Sequence, residues 1–220
     1  MTADKKDYLK DMAEKLRKVW PDNESLMVVC HGHSIPCGYM ADNVTRPFDA
    51  YPHLFHAALA ERFPHSVINV TVTATGGENS LSGAKRFKRD VLTHRPYLVT
   101  IDYGRNDMFL SEEQMRGAWR DMTTDALDAG CKVLLLTPAP DSGAVYYEEN
   151  ERRLTDAKMA EIIRETAECF QVGLADVHGT FERLFAQGHK RSEYAASVNH
   201  PNRRGHEIIA DCMMEWIPYV

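Results

Sequence analysis

Apolar positions along this chain follow two alternating rhythms, short β-branched runs of strand length and longer stretches spaced three and four residues apart. Leu9, Met12, Leu16 and Val19 recur at helical spacing, which predicts an amphipathic helix over residues 4–19. The apolar run of residues 26–31 reads as a strand, and "AYPHLFHAALAERF" as a second helix ending near Pro64. "SVINVTVT" (66–73) is β-branched and bounded by turn residues, so it is a strand, and residues 80–93 form the next helix. "YLVTIDYG", from residue 97, is apolar enough for a strand buried on both faces. Ser111-Glu-Glu-Gln114 is a capping box opening a helix that aligns Met115, Trp119, Met122 and Ala126, with Gly130 as its stop. A strand "KVLLLTP" from 132, a helix over about 151–170, a strand "GLADV" from 173 and helices near 178–187 and 202–216 complete the pattern.

Strands alternating with helices predict an α/β fold, a three-layer sandwich with a parallel sheet covered on both faces and right-handed crossovers. Five strands suggest the flavodoxin-like order 2-1-3-4-5. Such sheets bind ligands beyond the carboxyl ends of their strands, which directs attention to the loops after strands one, two and three. At 220 residues the chain is expected to form a single domain, residues 1–220, with the first 20 residues laid on it as a helix.

Composition adds little chemistry but excludes several classes. Hydrophobic content of 44% and charged content of 26% are ordinary for a globular chain. A net charge of −6 with scattered basic pairs gives no footprint for nucleic acid, and no run reaches membrane-spanning length. Five widely spaced cysteines, Cys30, Cys37, Cys131, Cys169 and Cys212, suggest reduced thiols and no disulfide framework. The charged start "MTADKKDYLK" lacks the apolar stretch of a secretory signal, so a cytoplasmic location is expected.

The three loops carry complementary polar groups. Ser34 follows strand one, Gly76 and Gly77 follow strand two, and Gly104-Arg105-Asn106-Asp107 follows strand three. Near the C-terminus His200 stands directly before Pro201, which holds it in extended backbone ahead of the last helix. A hydroxyl nucleophile, an imidazole base and donors for an oxyanion are the parts that acyl transfer requires. The donors here are the backbone N–H groups of Ser34 and Gly76 and the side-chain amide of Asn106. Glycine lets bare backbone approach the reacting carbon, and an asparagine amide donates without carrying charge.

In order and spacing these blocks, Gly32-His-Ser34, Gly76, Gly104-x-Asn106-Asp107 and His200, resemble those of the SGNH hydrolases, also called GDSL esterases and lipases. The resemblance spans residues 32–200. It implies metal-independent ester hydrolysis without a cofactor, on a small-molecule ester, with Ser34 as nucleophile, His200 as base, and Ser34, Gly76 and Asn106 lining an oxyanion hole. Short-acyl esters, acetylated carbohydrates among them, are the implied substrates. A thioesterase or lysophospholipase using the same residues, or a silent relative that only binds its ligand, are the alternatives.

Two positions depart from the family. His33 stands where the first block usually has aspartate, and Ser197 stands where the last block has its triad acid. Losing that acid costs a Ser-His-Asp enzyme roughly 10⁴ in rate. The Ser197 hydroxyl, a backbone carbonyl near it, or the Glu193 carboxylate are the candidates for orienting His200, with a Ser-His dyad as the working expectation. Tyr39, Tyr51, Tyr146, Tyr147, Arg105 and Met108 are candidate substrate-lining residues, and "APDSGAVYYEENE" reads as a loop over the site.

His31-x-His33 could suggest a metal, but the neighbouring loops offer few further ligands, and no metal is expected. "GGENS" lacks the lysine of a phosphate-binding loop and the glycine spacing of a dinucleotide fingerprint. His206, inside the last helix, is expected to pack or face water.

Overall fold

A computed structural model describes residues 2–41, 44–141, 153–197 and 199–219. Five parallel strands form one sheet in the order β2-β1-β3-β4-β5: β1 (Ser25–Gly32), β2 (Val67–Val72), β3 (Leu98–Asp102), β4 (Lys132–Leu136) and β5 (Gly173–Ala175). This is the order read from the alternating pattern. The helices are α1 (Lys10–Leu16), α2 (Ser34–Cys37), α3 (Tyr51–Arg62), α4 (Ser80–Asp90), α5 (Glu112–Asp128), α6 (Asp156–Phe170), α7 (Val177–Ala186) and α8 (Arg203–Met214).

The pleat sorts the strand residues between two cores. Val28 and Cys30 of β1 pack with α1, α3, α7 and α8 on one face, while Val29 of β1 and Val99 and Ile101 of β3 pack with α4, α5 and α6 on the other. Central β3 is buried at every position, as a strand covered on both faces requires. Edge strand β2 is half exposed.

Helix starts follow local chemistry. Ser111 and Gln114 close the capping box at the start of α5, Thr155 caps α6 through the Lys158 N–H, and Asp176 caps α7 through the Gly179 N–H. That last cap shortens β5 to three residues, against the five of "GLADV". The first helix is also shorter than its periodicity suggested. Residues beyond Leu16 turn away ahead of Pro21, and Val19, assigned to the buried face, is 50% exposed.

All five cysteines are free thiols. No described helix is long and apolar enough to cross a membrane.

Candidate active site

The first strand ends where two backbones touch. Gly32 pairs with Asp102 of β3, and a side chain at position 32 would put its Cβ 2.4 Å from the Asp102 carbonyl oxygen. Only glycine permits that approach. The chain then turns into the single helical turn of α2, with Ser34 as its first residue and Gly38, at φ 83°, as its left-handed stop. Ser34 is nearly buried, and its N–H, at the first position of a helix, lies outside the intrahelical ladder.

Past the end of β2 the chain keeps step with β1: Thr73 N–H donates to the Cys30 carbonyl and Thr75 N–H to that of Gly32. This carries Gly76 to the level of Ser34. A Cβ at Gly76 would stand 3.1 Å from the Tyr39 ring, so the glycine keeps its backbone open beside that ring.

The loop after β3 is tied to the loop after β2 at two points. Asn106 donates from Nδ2 to the Glu78 carbonyl at 2.8 Å, which leaves the second amide proton for another acceptor. Asp107, fully buried, accepts from the Ser80 N–H and from Trp119 Nε1, each at 2.7 Å. Burial pushes the Asp107 carboxyl up to about 6, and the two donors oppose that rise. Glu78 is itself held by Arg86 and by the Tyr103 hydroxyl, which also lies 3.1 Å from His31 Nε2.

The fourth component arrives on a loop that doubles back before α8. Ala196 N–H donates to the His200 carbonyl, Ala195 bridges to Pro201, and Asn202 caps α8 through the Gly205 N–H. The loop brings His200 Nε2 to 2.9 Å from Ser34 Oγ. Its Nδ1 lies 3.2 Å from Ser197 Oγ. With Nε2 accepting from the Ser34 hydroxyl, the ring proton sits on Nδ1 and is donated to Ser197. Tyr39 stacks along the His200 ring at a centroid distance of 6.0 Å. Burial lowers the His200 pKa below the ordinary histidine value, and the Arg105 guanidinium lowers it further.

Other candidates from the sequence fall differently. Glu193 turns away from His200: its carboxylate accepts from the Lys190 N–H and pairs with Arg204 and His189. Tyr51 and Met108 are core residues, 0% and 2% exposed, and line no open surface. Arg105 is buried with its guanidinium clamped between Asp156, bound through both oxygens at 2.9 Å, and Asp141 at 2.7 Å. Its charge therefore acts on the site through space. Tyr146, Tyr147 and most of the loop read over the site lie outside the described residues. His31 bonds Thr73, the Gly83 carbonyl and Tyr103, while His33 accepts from the Ile35 N–H and faces Asp102. Among the described residues no three His, Cys, Asp or Glu side chains group as metal ligands. His206 packs, as read, with Nδ1 accepting from the Tyr51 N–H.

Comparison with known proteins decides the family. The family model of the GDSL-like lipases and acylhydrolases matches residues 30–208, a span that begins just before Ser34 and ends just past His200. The chain belongs to this family. It is accordingly a carboxylic ester hydrolase. No curated protein matches its sequence. Solved structures share the fold at low identity. An acetylxylan esterase from Geobacillus stearothermophilus is 19% identical, with a TM-score of 0.72 over 89% of this chain and 95% of that one. LAE5, an α/β hydrolase enzyme from the metagenome of Lake Arreo, Spain, is 23% identical, with a TM-score of 0.71 over 87% and 94%. A candidate GDSL-like lipase from Parabacteroides merdae is 15% identical, with a TM-score of 0.75 over 87% and 95%. Catalytic mutants of the Geobacillus esterase replace a serine, an aspartate and a histidine.

Two groups against the site escaped the sequence reading. Asp102 ends an apolar strand and looks like one polar residue at a strand terminus, yet it is 3% exposed. Glu78 sits in a glycine-rich turn where a solvated carboxylate would be ordinary. A carboxylate closing a strand buried on both faces was the available signal for the first; the second had none.

Proposed function

We propose that this family member hydrolyses short-acyl esters, acetyl groups on carbohydrates among them, through an acyl-enzyme on Ser34. The observation that carries the reading is the 2.9 Å contact between Ser34 Oγ and His200 Nε2, with a hydrogen-bond acceptor on the far side of the ring. Ser34 Oγ attacks the ester carbonyl carbon as its proton passes to His200 Nε2. The carbonyl oxygen takes the displaced electron pair and is received by the N–H groups of Ser34 and Gly76 and the free Asn106 amide proton. Collapse breaks the bond to the alcohol, which leaves with the proton from Nε2. Water, deprotonated by the same nitrogen, then releases the acid and restores the Ser34 hydroxyl.

The preference for small substrates rests on the resemblance to an acetylxylan esterase and on a cavity close to the dyad but lined by neither Ser34 nor His200. A cavity of about 430 Å³ lies between the segments that carry Tyr39 and His200, lined by Met40, Val44, Arg46, Asp49, Asn202 and Arg203. Its mixed polar and apolar walls suit a hydroxylated alcohol better than a long hydrocarbon chain.

A fluorophosphonate probe, which phosphonylates activated serines, tests the mechanism. Strong labelling is expected of the unmodified protein and none of Ser34→Ala or His200→Ala. No label on the unmodified protein would instead mark a ligand-binding relative. Rates on p-nitrophenyl acetate above those on octanoate and longer esters support the short-acyl reading, and the reverse order favours a thioesterase or lysophospholipase.

A further inference from the structure

The turn that holds Ser34 depends on the residue before it. His33 is fully buried, and its Nδ1 accepts the Ile35 N–H at 3.2 Å, capping the first turn of α2. That bond is possible in one state of the ring. A proton on Nδ1 would set two donors head to head, so His33 must be neutral with its proton on Nε2. Burial favours the neutral ring, holding the His33 pKa down at about 3, but burial alone does not choose between its two tautomers.

Nε2 faces a buried carboxyl group. Asp102 Oδ1 lies 3.6 Å away, at the end of the neighbouring strand, and both residues are sealed from solvent. Burial pushes the Asp102 carboxyl up to about 7, and the neighbouring Tyr51 hydroxyl opposes that rise. His33 Nε2 is buried with no partner at hydrogen-bond distance, which leaves the Asp102 carboxyl group, 3.6 Å away, as the acceptor that faces it. The backbone fixes the arrangement, since the His33 N–H donates to the Asp102 carbonyl at 3.2 Å and Gly32 removes the side chain that would separate the strands.

We propose that Asp102 is a positioning residue for the nucleophile: its carboxyl group selects the Nε2–H tautomer of His33, so that Nδ1 accepts the Ile35 N–H and fixes the turn carrying Ser34. Two residues, a histidine at position 33 and a carboxyl group on the adjacent strand, thus do what a carboxylate at position 33 could do alone. The kinetic consequence rests on Ser34 being the nucleophile, but the tautomer does not.

Three variants and one spectrum test this. D102L removes the acceptor while keeping bulk, and should lower kcat by about 10- to 100-fold with KM little changed, the loss seen when a metal-bound histidine is deprived of its outer-shell partner. D102N keeps a carbonyl oxygen for Nε2–H and should retain most activity. H33D in the D102L background supplies an acceptor for Ile35 N–H that needs no tautomer, and should restore kcat. Thermal melting of each variant verifies that it is folded. A folded D102L with unchanged kcat, or one that H33D does not improve, overturns the proposal. Long-range ¹H–¹⁵N correlation of the histidine rings should show His33 as Nε2–H in the unmodified protein and not in D102L. An Nδ1–H ring in the unmodified protein overturns the proposal whether or not any ester is hydrolysed. If no ester is turned over while the Nε2–H signal is present and lost in D102L, the positioning stands and the esterase mechanism falls.

Discussion

The Ser197 hydroxyl stands 3.2 Å from His200 Nδ1, on the side of the ring away from Ser34. A hydroxyl there accepts the Nδ1 proton and fixes the tautomer, but it offers the imidazolium a dipole where a carboxylate would offer a charge. Ser197→Asp is therefore expected to raise kcat/KM, by about tenfold or more out of the roughly 10⁴ that a triad acid can contribute. Ser197→Ala should lower it. Glu193→Gln, altering a carboxylate that points elsewhere, should leave kcat within about twofold, because surface changes away from the chemistry have small effects. Steady-state kinetics on one acetyl ester would settle all three, and a Glu193→Gln variant with collapsed kcat would sink the dyad.

Asn106 tests the oxyanion hole. One amide proton is held by the Glu78 carbonyl, which fixes the amide plane and leaves the other proton for an oxyanion. Asn106→Ala should cost about 10²–10³ in kcat with little change in KM, the signature of a donor used in the transition state. An effect confined to KM would assign Asn106 to ground-state binding.

Much of this arrangement was legible in the sequence because it rests on period and punctuation. The β-branched runs gave the strands, and a parallel sheet puts the residues after strands one, two and three at one edge, where Ser34, Gly76 and Asn106 stand. His200 was legible through Pro201, which bars helix at the preceding residue. Pairings between distant positions were not. Nothing local links His33 to Asp102 or Glu193 to Arg204, since those contacts depend on strand register and loop path. Tyr51 misled because an aromatic near a polar loop suits a pocket and a core equally well; only the packing of α3 against α8 decides.

Asp107 should matter for stability as much as for chemistry. Its two oxygens receive one donor from α4 and one from α5, which fastens the Asn106 loop to both helices. An asparagine can accept only one and must turn its own N–H₂ toward the other. Asp107→Asn is expected to cost about 2–3 kcal/mol, the range for a buried donor left against an unsuitable partner. Trp119→Phe, which removes the opposing indole N–H, should make the double variant less destabilised than the sum of the single changes. Thermal or urea melts provide the comparison, and strict additivity would show that the two groups do not act through each other.

The pH dependence follows from the sign of the His200 shift. Burial first and the Arg105 charge second disfavour imidazolium, so the pKa lies below the usual value of about 6.5. His200 must be neutral to act as base. The acid limb of kcat/KM, which reports the free enzyme, therefore falls below pH 6.5, and activity persists where an unperturbed histidine would be half protonated. Arg105→Met removes the positive charge and leaves the Asp141 and Asp156 carboxylates without it; both changes favour imidazolium, so the limb should move to higher pH. Arg105→Lys keeps the charge and should keep the limb near its original position, although one ammonium cannot reproduce the clamp on two carboxylates. A limb that stayed fixed in the folded Arg105→Met variant would show that burial alone sets the His200 pKa.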